Sequence, residues 1–302
     1  MSDLFVSQGI LPMLLQNSEP FDSRDYIFEL KLDGFRCIAY LCAEETVLKS
    51  RNNKDITALF PELKNMHKCV NKRCVLDGEI VCLKNGKPSF SAMQKRAQIK
   101  SISKIKAYSA LSPVQFVAFD ILLLNGKTLF TTPQIKRKQI LQKSVTEGFN
   151  LSISRYLEEK GVAFFNAVKA QNLEGVVAKR KQGQYFAGKR TGEWLKIKAV
   201  LKQDFLVCGI TLNQQNAPKS LVLASEENGA LKLCGKVNLH GKSNFRVVQN
   251  YYKNNSISTP YFMQLKGVLW VKLGLVASVS YTEFTTGGNL RHPVLQSLKI
   301  NL

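Results

Sequence analysis

Glu29-Leu30-Lys31-Leu32-Asp33-Gly34-Phe35-Arg36 is the stretch on which the reading of this chain turns. A lysine stands two residues ahead of an Asp-Gly corner, an arginine follows, and an apolar run from Cys37 to Leu41 continues beyond. Asp-Gly between two apolar runs is a strong hairpin signal, under which Lys31 is an ordinary solvated turn residue. Alternatively Lys31 is a covalent nucleophile, which requires phosphate nearby and removal of its proton. The octet alone favours the hairpin.

Other charged residues shift that balance. Glu79 lies inside Leu76-Asp77-Gly78-Glu79-Ile80-Val81, and Glu174 opens Glu174-Gly175-Val176-Val177-Ala178-Lys179. In Trp194-Leu195-Lys196-Ile197-Lys198, strand alternation puts Lys196 and Lys198 on one face. Each alone reads as the solvated face of a half-buried strand. Together they supply two carboxylates and a set of lysines, the groups that phosphoryl-type chemistry on a nucleotide needs as Mg²⁺ ligands and phosphate clamps.

The chain has 302 residues, enough for two domains of ordinary size, and is 45% hydrophobic. No apolar run approaches the roughly 20 residues that span a bilayer. The N-terminus lacks a basic n-region, and Pro12 and Gln16 interrupt the apolar stretch, so no signal peptide is expected. The formal charge is +21, with +7 from residues 200–302 and +14 from the rest. A surplus in both parts suggests a long polyanion touching both, with a generic basic surface as the plain alternative. No basic amphipathic helix with a Trp/Leu face is evident, which ranks membrane below nucleic acid. Seven cysteines without a Cys-x-x-Cys suggest buried free thiols in a reducing cytoplasm, not a zinc cage or a disulfide framework.

Along the first two-thirds, 26–31, 36–41, 75–81, 115–121, 175–180 and 194–198 read as strands. Residues 89–107 and 133–145 read as helices, the second with Pro133 in its first turn. After Lys198 the pattern changes to short β-rich runs at 204–211, 220–225, 231–237, 268–272 and 277–284, separated by Gly/Asn clusters. Five strands in about a hundred residues suit a small Greek-key barrel of the OB type. The expected class is α+β: a domain of antiparallel sheets flanked by helices over 1–199, then an OB-fold barrel over 200–302.

In this order the motifs resemble those of ATP-dependent DNA ligases, within the covalent nucleotidyltransferases that include RNA ligases and mRNA capping enzymes. The matching segments are Lys31-Leu32-Asp33-Gly34-Phe35-Arg36, Asp77-Gly78-Glu79, Phe116-Val117-Ala118-Phe119-Asp120, Glu174 to Lys179, Trp194 to Lys198, and Arg291-His292-Pro293. The ordered set is specific where any one member is weak. Pro12-Met13-Leu14, Phe90-Ser91-Ala92-Met93-Gln94-Lys95-Arg96, Tyr185, Gly188, Arg190 and the Glu283-Phe284-Thr285 ending resemble the ligase domain of the bacterial end-joining ligase D. The likeness covers nearly the whole chain and implies a minimal two-domain enzyme. The zinc finger of NAD-dependent ligases is absent, which agrees with ATP. The tail Leu298-Lys299-Ile300-Asn301-Leu302 departs from the usual acid-lysine ending, leaving Lys299 for the basic role.

The resemblance implies three steps. Lys31 takes AMP from ATP, passes it to the 5′-phosphate of a nick, and the 3′-hydroxyl then displaces AMP. Lys179, Lys196, Lys198 and Mg²⁺ (or Mn²⁺) would disfavour the lysine ammonium, with Lys196 and Lys198 gripping the α-phosphate. Glu79 and Glu174 would hold metal, Glu79 alternatively the ribose. Phe119 would stack on adenine, its alternative being a core aromatic. Glu29 or the adjacent backbone would read the adenine edge. Arg36 and Arg51 would bind the nick phosphate or the ribose, and Arg291 the β- and γ-phosphates. The basic runs 95–106, 136–143 and 179–202 would follow the DNA backbone.

Nicked duplex DNA is thus the expected partner of a monomer in the bacterial cytoplasm or nucleoid, with end-joining or repair proteins as further partners. An RNA ligase or GTP-using capping enzyme is the second reading, against which the 283–293 ending argues. A catalytically silent DNA-binding module is the third, against which the intact Lys31, Glu79, Glu174, Lys196 and Lys198 argue.

Overall fold

The strand before Lys31 and the strand after Gly34 belong to different sheets, so Asp33-Gly34 is not a hairpin turn. Ser23–Leu30 lies in a five-stranded sheet, in the order Leu14–Asn17, Arg190–Lys198, Gly175–Arg180, Ser23–Leu30, Tyr156–Glu159. Phe35–Leu41 lies in a second sheet, between Thr46–Ser50 and Cys74–Lys84, with Val114–Leu124 next. Gly34 is needed for close approach: a Cβ there would overlap the Ile80 carbonyl oxygen and sit 2.9 Å from Glu79 Cγ. This computed structural model describes residues 3–84, 86–285 and 287–301. It divides into two compact units, Met1–Ala199 and Val200–Leu302.

Strand alternation assigns each face of the first unit. In the first sheet Phe28, Val176, Ala178 and Ile197 pack on Phe164, Phe165 and Val168 of the helix Gly161–Ala170. The opposite face carries Glu29, Lys179 and Trp194, and Trp194 packs with Ile38, Tyr40, Val75 and Leu122 of the second sheet. The far side of that second sheet buries Cys37, Ala39, Leu76 and Ile80 under Phe60, Leu63, Met66 and Met93. Each large apolar side chain so buried contributes about 1.5–3 kcal/mol. All seven cysteines are unbridged, and six are buried.

Two helical expectations need correction. Residues 89–107 form two helices, Phe90–Ala97 and Ile102–Leu111, because Ser101 takes an extended conformation and a new helix starts after it, the Ser101 carbonyl accepting from Ile105 N–H at 2.9 Å. Ser89 caps the first through a bond from Ala92 N–H, and Pro113 follows the end of the second. Residues Gln134–Ser144 do form a helix, with Pro133 as its N-cap, but it turns a polar side inward. Arg137 and Lys138 are fully buried, so the 136–143 run does not present a continuous basic face.

The second unit is a strongly curved seven-stranded sheet. Its long strand Leu201–Leu212 pairs with Leu275–Tyr281 along its first half and with Pro218–Glu227 along its second. The five strands expected are present; Ser256–Ile257, Val294–Ile300 and the helix Lys242–Asn255 are additions. Val248 and Tyr251 of that helix enter the core, a helical period masked in the sequence by its asparagines. Lys299 lies on the edge strand Val294–Ile300, opposite Val276.

Candidate active site

Lys31 follows directly on the strand Ser23–Leu30, and its N–H extends the ladder by bonding to Gly175 O at 2.9 Å. That register brings Lys31 to Glu174, the residue before the strand Gly175–Arg180. Lys31 Nζ lies 2.6 Å from Glu174 Oε1. Gly175 has φ +142, and a Cβ there would overlap Ile197 O, so only glycine lets the strands meet this closely. Glu174 Oε2 is buried without a hydrogen-bond partner. Burial raises the Glu174 carboxyl pKa, opposed by Lys31.

Lys31 lines two adjoining clefts, and Leu15, Leu32, Arg36 and Glu79 line both with it. The inner cleft reaches Glu29, Phe119, Lys179 and Trp194, so that aromatic walls meet a few charged groups. The outer is lined by cations, Arg51, Arg190, Lys196 and Lys198 among them. The Lys196 pKa is lowered, first by burial and then by Lys198, Arg190, Lys31 and Arg51. Such a set of convergent cations suits a polyphosphate.

Glu79 faces both clefts, and its pKa is pushed up to about 8 by burial, against the pull of Arg36 and Lys31. Arg36 is fixed from behind: Nε and Nη2 donate to Asp77 at 2.6 and 2.7 Å. Asp77 is fully buried and also accepts from the Tyr185 hydroxyl at 2.7 Å, which in turn accepts from Met13 N–H at 2.9 Å. The Arg36 guanidinium carbon lies 4.5 Å from the centre of the Phe119 ring.

Glu29 sits at the base of the inner cleft, where its carboxylate meets Lys138 at 2.9 Å, Lys179 at 3.1 Å and Ser154 Oγ at 3.0 Å. Glu29 Oε1 nevertheless has no hydrogen-bond partner, so both the side chain and the adjacent backbone stay open to an occupant. Lys179 is buried, 4.4 Å from the Phe119 ring centre and 4.2 Å from that of Trp194. Burial pulls its pKa down to about 8, although Glu29 opposes the shift. Phe119 is 9% exposed and is both core aromatic and cleft wall.

The sequence reading missed Asp77, Lys138, Tyr185, Arg190 and Trp194 as parts of this site. The signal for Asp77 and Trp194 was their place inside motifs whose neighbours were chosen. Lys138 gave none, because its partner Glu29 is over a hundred residues away. Arg291 belongs to the other unit, with Nη1 2.9 Å from Glu283 Oε1.

Among the described residues no group of three or more His, Cys, Asp or Glu is placed to hold a metal. Glu174, with its unpartnered buried Oε2, and Glu79 form a two-carboxylate set. Such a set fits Mg²⁺, which takes one or two carboxylates and completes its shell with phosphate and water.

Comparison with known proteins agrees with this geometry. Residues 12–198 match the family model described as ATP dependent DNA ligase domain, and residues 214–301 the ATP dependent DNA ligase C terminal region. The SPbeta prophage-derived DNA ligase-like protein LigB of Bacillus subtilis is 33% identical over 210 residues, 69% of this chain and 73% of LigB. The multifunctional non-homologous end joining protein LigD of Mycobacterium bovis is 28% identical over 98% of this chain, which spans only 39% of LigD. A structure of mycobacterial DNA ligase D complexed with ATP and MES superposes with a TM-score of 0.59 at 27% identity, covering 98% of this chain and 96% of that one. The chain belongs to the ATP-dependent DNA ligases.

Proposed function

We propose that this chain seals nicks between a 5′-phosphate and a 3′-hydroxyl in duplex DNA, using ATP through an AMP bound to Lys31. The observation that carries the reading is Lys31 Nζ, 2.6 Å from Glu174, where an aromatic-walled cleft adjoins one lined by Lys196 and Lys198.

Lys31 attacks as the free amine. Its nitrogen forms a bond to the α-phosphorus of ATP, the bond to the bridging oxygen breaks, and pyrophosphate leaves. Glu174 Oε1 stands where it can take the proton that Nζ sheds. Lys196 and Lys198 offset the charge that builds on the phosphate oxygens. A divalent ion held by Glu174 and Glu79 supplies further charge neutralisation when bound. A 5′-phosphate oxygen of the nick next attacks the same phosphorus, the phosphorus–nitrogen bond breaks, and Nζ leaves as the amine with the proton that Glu174 returns to it. The 3′-hydroxyl then attacks the activated 5′-phosphorus, loses its proton, and releases AMP.

Arg36 and Arg51 border the region where the ribose or nick phosphate would lie, and Phe119 borders the base. Arg291 would act on the leaving pyrophosphate. A role in end joining, suggested by the name of the LigD relatives, is part of the proposal, as are repair partners, a monomeric state and a cytoplasmic location. Among the described residues, no helix is long and apolar enough to cross a membrane.

Sealing of a nicked duplex with ATP, dATP, GTP and NAD side by side tests the reading. Sealing by ATP with a divalent ion, and none by NAD, is the expected result. Covalent labelling by GTP without sealing of DNA would overturn it in favour of a capping-type enzyme.

A further inference from the structure

The helix Gln134–Ser144 contains none of the motifs that mark the family, yet its inward side chains reach three walls of the inner cleft. Gln134, Arg137 and Lys138 stand at i, i+3 and i+4, so they share one face, and all three are fully buried. Gln134 Oε1 accepts from Trp194 Nε1 at 2.8 Å. Arg137 Nε and Nη2 each donate at 2.9 Å to Asp120, the neighbour of Phe119. Lys138 Nζ lies 2.9 Å from Glu29 Oε1.

The bonding around Glu29 is asymmetric. Oε2 accepts from Ser154 Oγ at 3.0 Å and from Lys179 Nζ at 3.1 Å. Oε1 accepts no hydrogen bond, although Lys138 is at contact distance. Lys138 Nζ directs its hydrogen bond to Ser154 O, 2.9 Å away. It therefore supplies charge to Oε1 and leaves the lone pairs of that oxygen unspent. Glu29 and Lys179 line the cleft, and Lys138 stands behind them. Burying an ammonium is costly unless it is paired. Glu29 Oε2 already pairs Lys179, so a second buried lysine on the same carboxylate calls for a separate reason.

We propose that Lys138 is a positioning residue that sets the choice of nucleobase. It keeps Glu29 ionised, with Oε1 held as an open acceptor, so the cleft takes a base that presents an exocyclic amino group at its edge. A base with a carbonyl there would set oxygen against oxygen. A base with only hydrogen there would leave a buried carboxylate oxygen unpaired. Without Lys138 the carboxylate is left to Lys179 and Ser154, and its free oxygen is no longer fixed for the base. The proposal rests on the reading of ATP as the nucleotide, and adds a residue outside every motif that enforces adenine.

The test compares ATP with purine riboside triphosphate, which lacks only the 6-amino group. Quenching of tryptophan fluorescence in the full chain, without divalent metal, gives both dissociation constants with no covalent step. The unaltered protein should prefer ATP by at least about tenfold, the loss expected when a charged group misses its hydrogen-bond partner. Lys138→Met should erase that preference, chiefly by weakening ATP. Lys138→Gln keeps a donor for Ser154 O, and with it the local fold, and should erase the preference too. Lys138→Arg retains the charge and should keep most of it. Equal weakening of both nucleotides by Lys138→Met and Lys138→Gln would overturn the proposal, since Lys138 would then be only a structural support. A preference that both variants leave unchanged would overturn it as well, and so would an unaltered protein with no preference. Covalent labelling by ATP with Mg²⁺ is scored separately. An unaltered protein that shows the binding preference and takes no label would refute the ligase reading while upholding the role of Lys138.

Discussion

Lys31 Nζ and Glu174 Oε1 stand 2.6 Å apart across the point where two strands of one sheet converge. The pair places the nucleophile beside the group that can relieve it of a proton. Lys31→Ala should retain the fold and lose all covalent label from α-labelled ATP on a denaturing gel. Lys31→Arg should be equally inert, because a guanidinium stays protonated. Label retained by either variant would show that another residue carries the AMP.

Tyr185→Phe should lower stability by about 1.5–3 kcal/mol, since it removes a hydrogen bond to a buried carboxylate. The ring contacts with Phe130 and Trp194 survive the change. Urea unfolding measures the loss. Nucleotide affinity should weaken alongside it, because Asp77 holds Arg36 at the cleft. Unaltered affinity would separate the Tyr185 hydroxyl from the placement of Arg36.

Lys179 titrates within reach of an indole, so its pH dependence is observable. Its pKa falls from the ordinary 10.5 to about 8 in the folded chain. A lowered lysine pKa favours the folded state above 10.5, and that contribution is lost as pH falls toward 8. The full change is on the order of 3 kcal/mol. In a Trp270→Phe background, Trp194 fluorescence should titrate with a midpoint near 8, and Lys179→Met should abolish the transition. A flat trace in the parent would mean that Lys179 keeps its proton throughout.

Arg291→Ala should slow self-adenylation strongly and spare the sealing of a pre-adenylated nick, which carries no triphosphate. Glu174→Ala should harm both. Single-turnover sealing of ordinary against pre-adenylated nicked DNA distinguishes the two. Equal losses for Arg291→Ala on both substrates would assign it to DNA binding or to the integrity of its own unit.

Gly34→Ala should destabilise the chain by several kcal/mol, because the added methyl meets the Ile80 carbonyl oxygen, which cannot rotate away. Thermal unfolding reads this directly, and a stability within about 0.5 kcal/mol of the parent would show that the two strands can part at little cost.

Much of this was legible because the relevant signals are local. Lys196 and Lys198 share a face by strand alternation alone, and both line the outer cleft. The β-rich character after Lys198 was visible as short runs between turn residues. What stayed hidden depends on distant partners. Helix Gln134–Ser144 reads as a solvated basic segment until Asp120 and Glu29 are seen to receive Arg137 and Lys138. Asp33-Gly34 has the composition of a hairpin, and only the approach of Ile80 shows that it joins two sheets. The break at Ser101 was under-read because the lysines on either side suit a helix.

The inner cleft takes Glu29, Lys179 and Trp194 from one sheet and Arg36, Glu79 and Phe119 from the other. A nucleotide there would act as a tie-bar between two halves that otherwise meet mainly through the apolar contacts of Trp194 and its neighbours. Once its phosphate is attached to Lys31, the brace cannot leave by dissociation. Amide exchange should then slow in strands remote from the nucleotide, Thr46–Ser50 included, and the charged form of the enzyme would be the mechanically stiffer one that meets the broken strand.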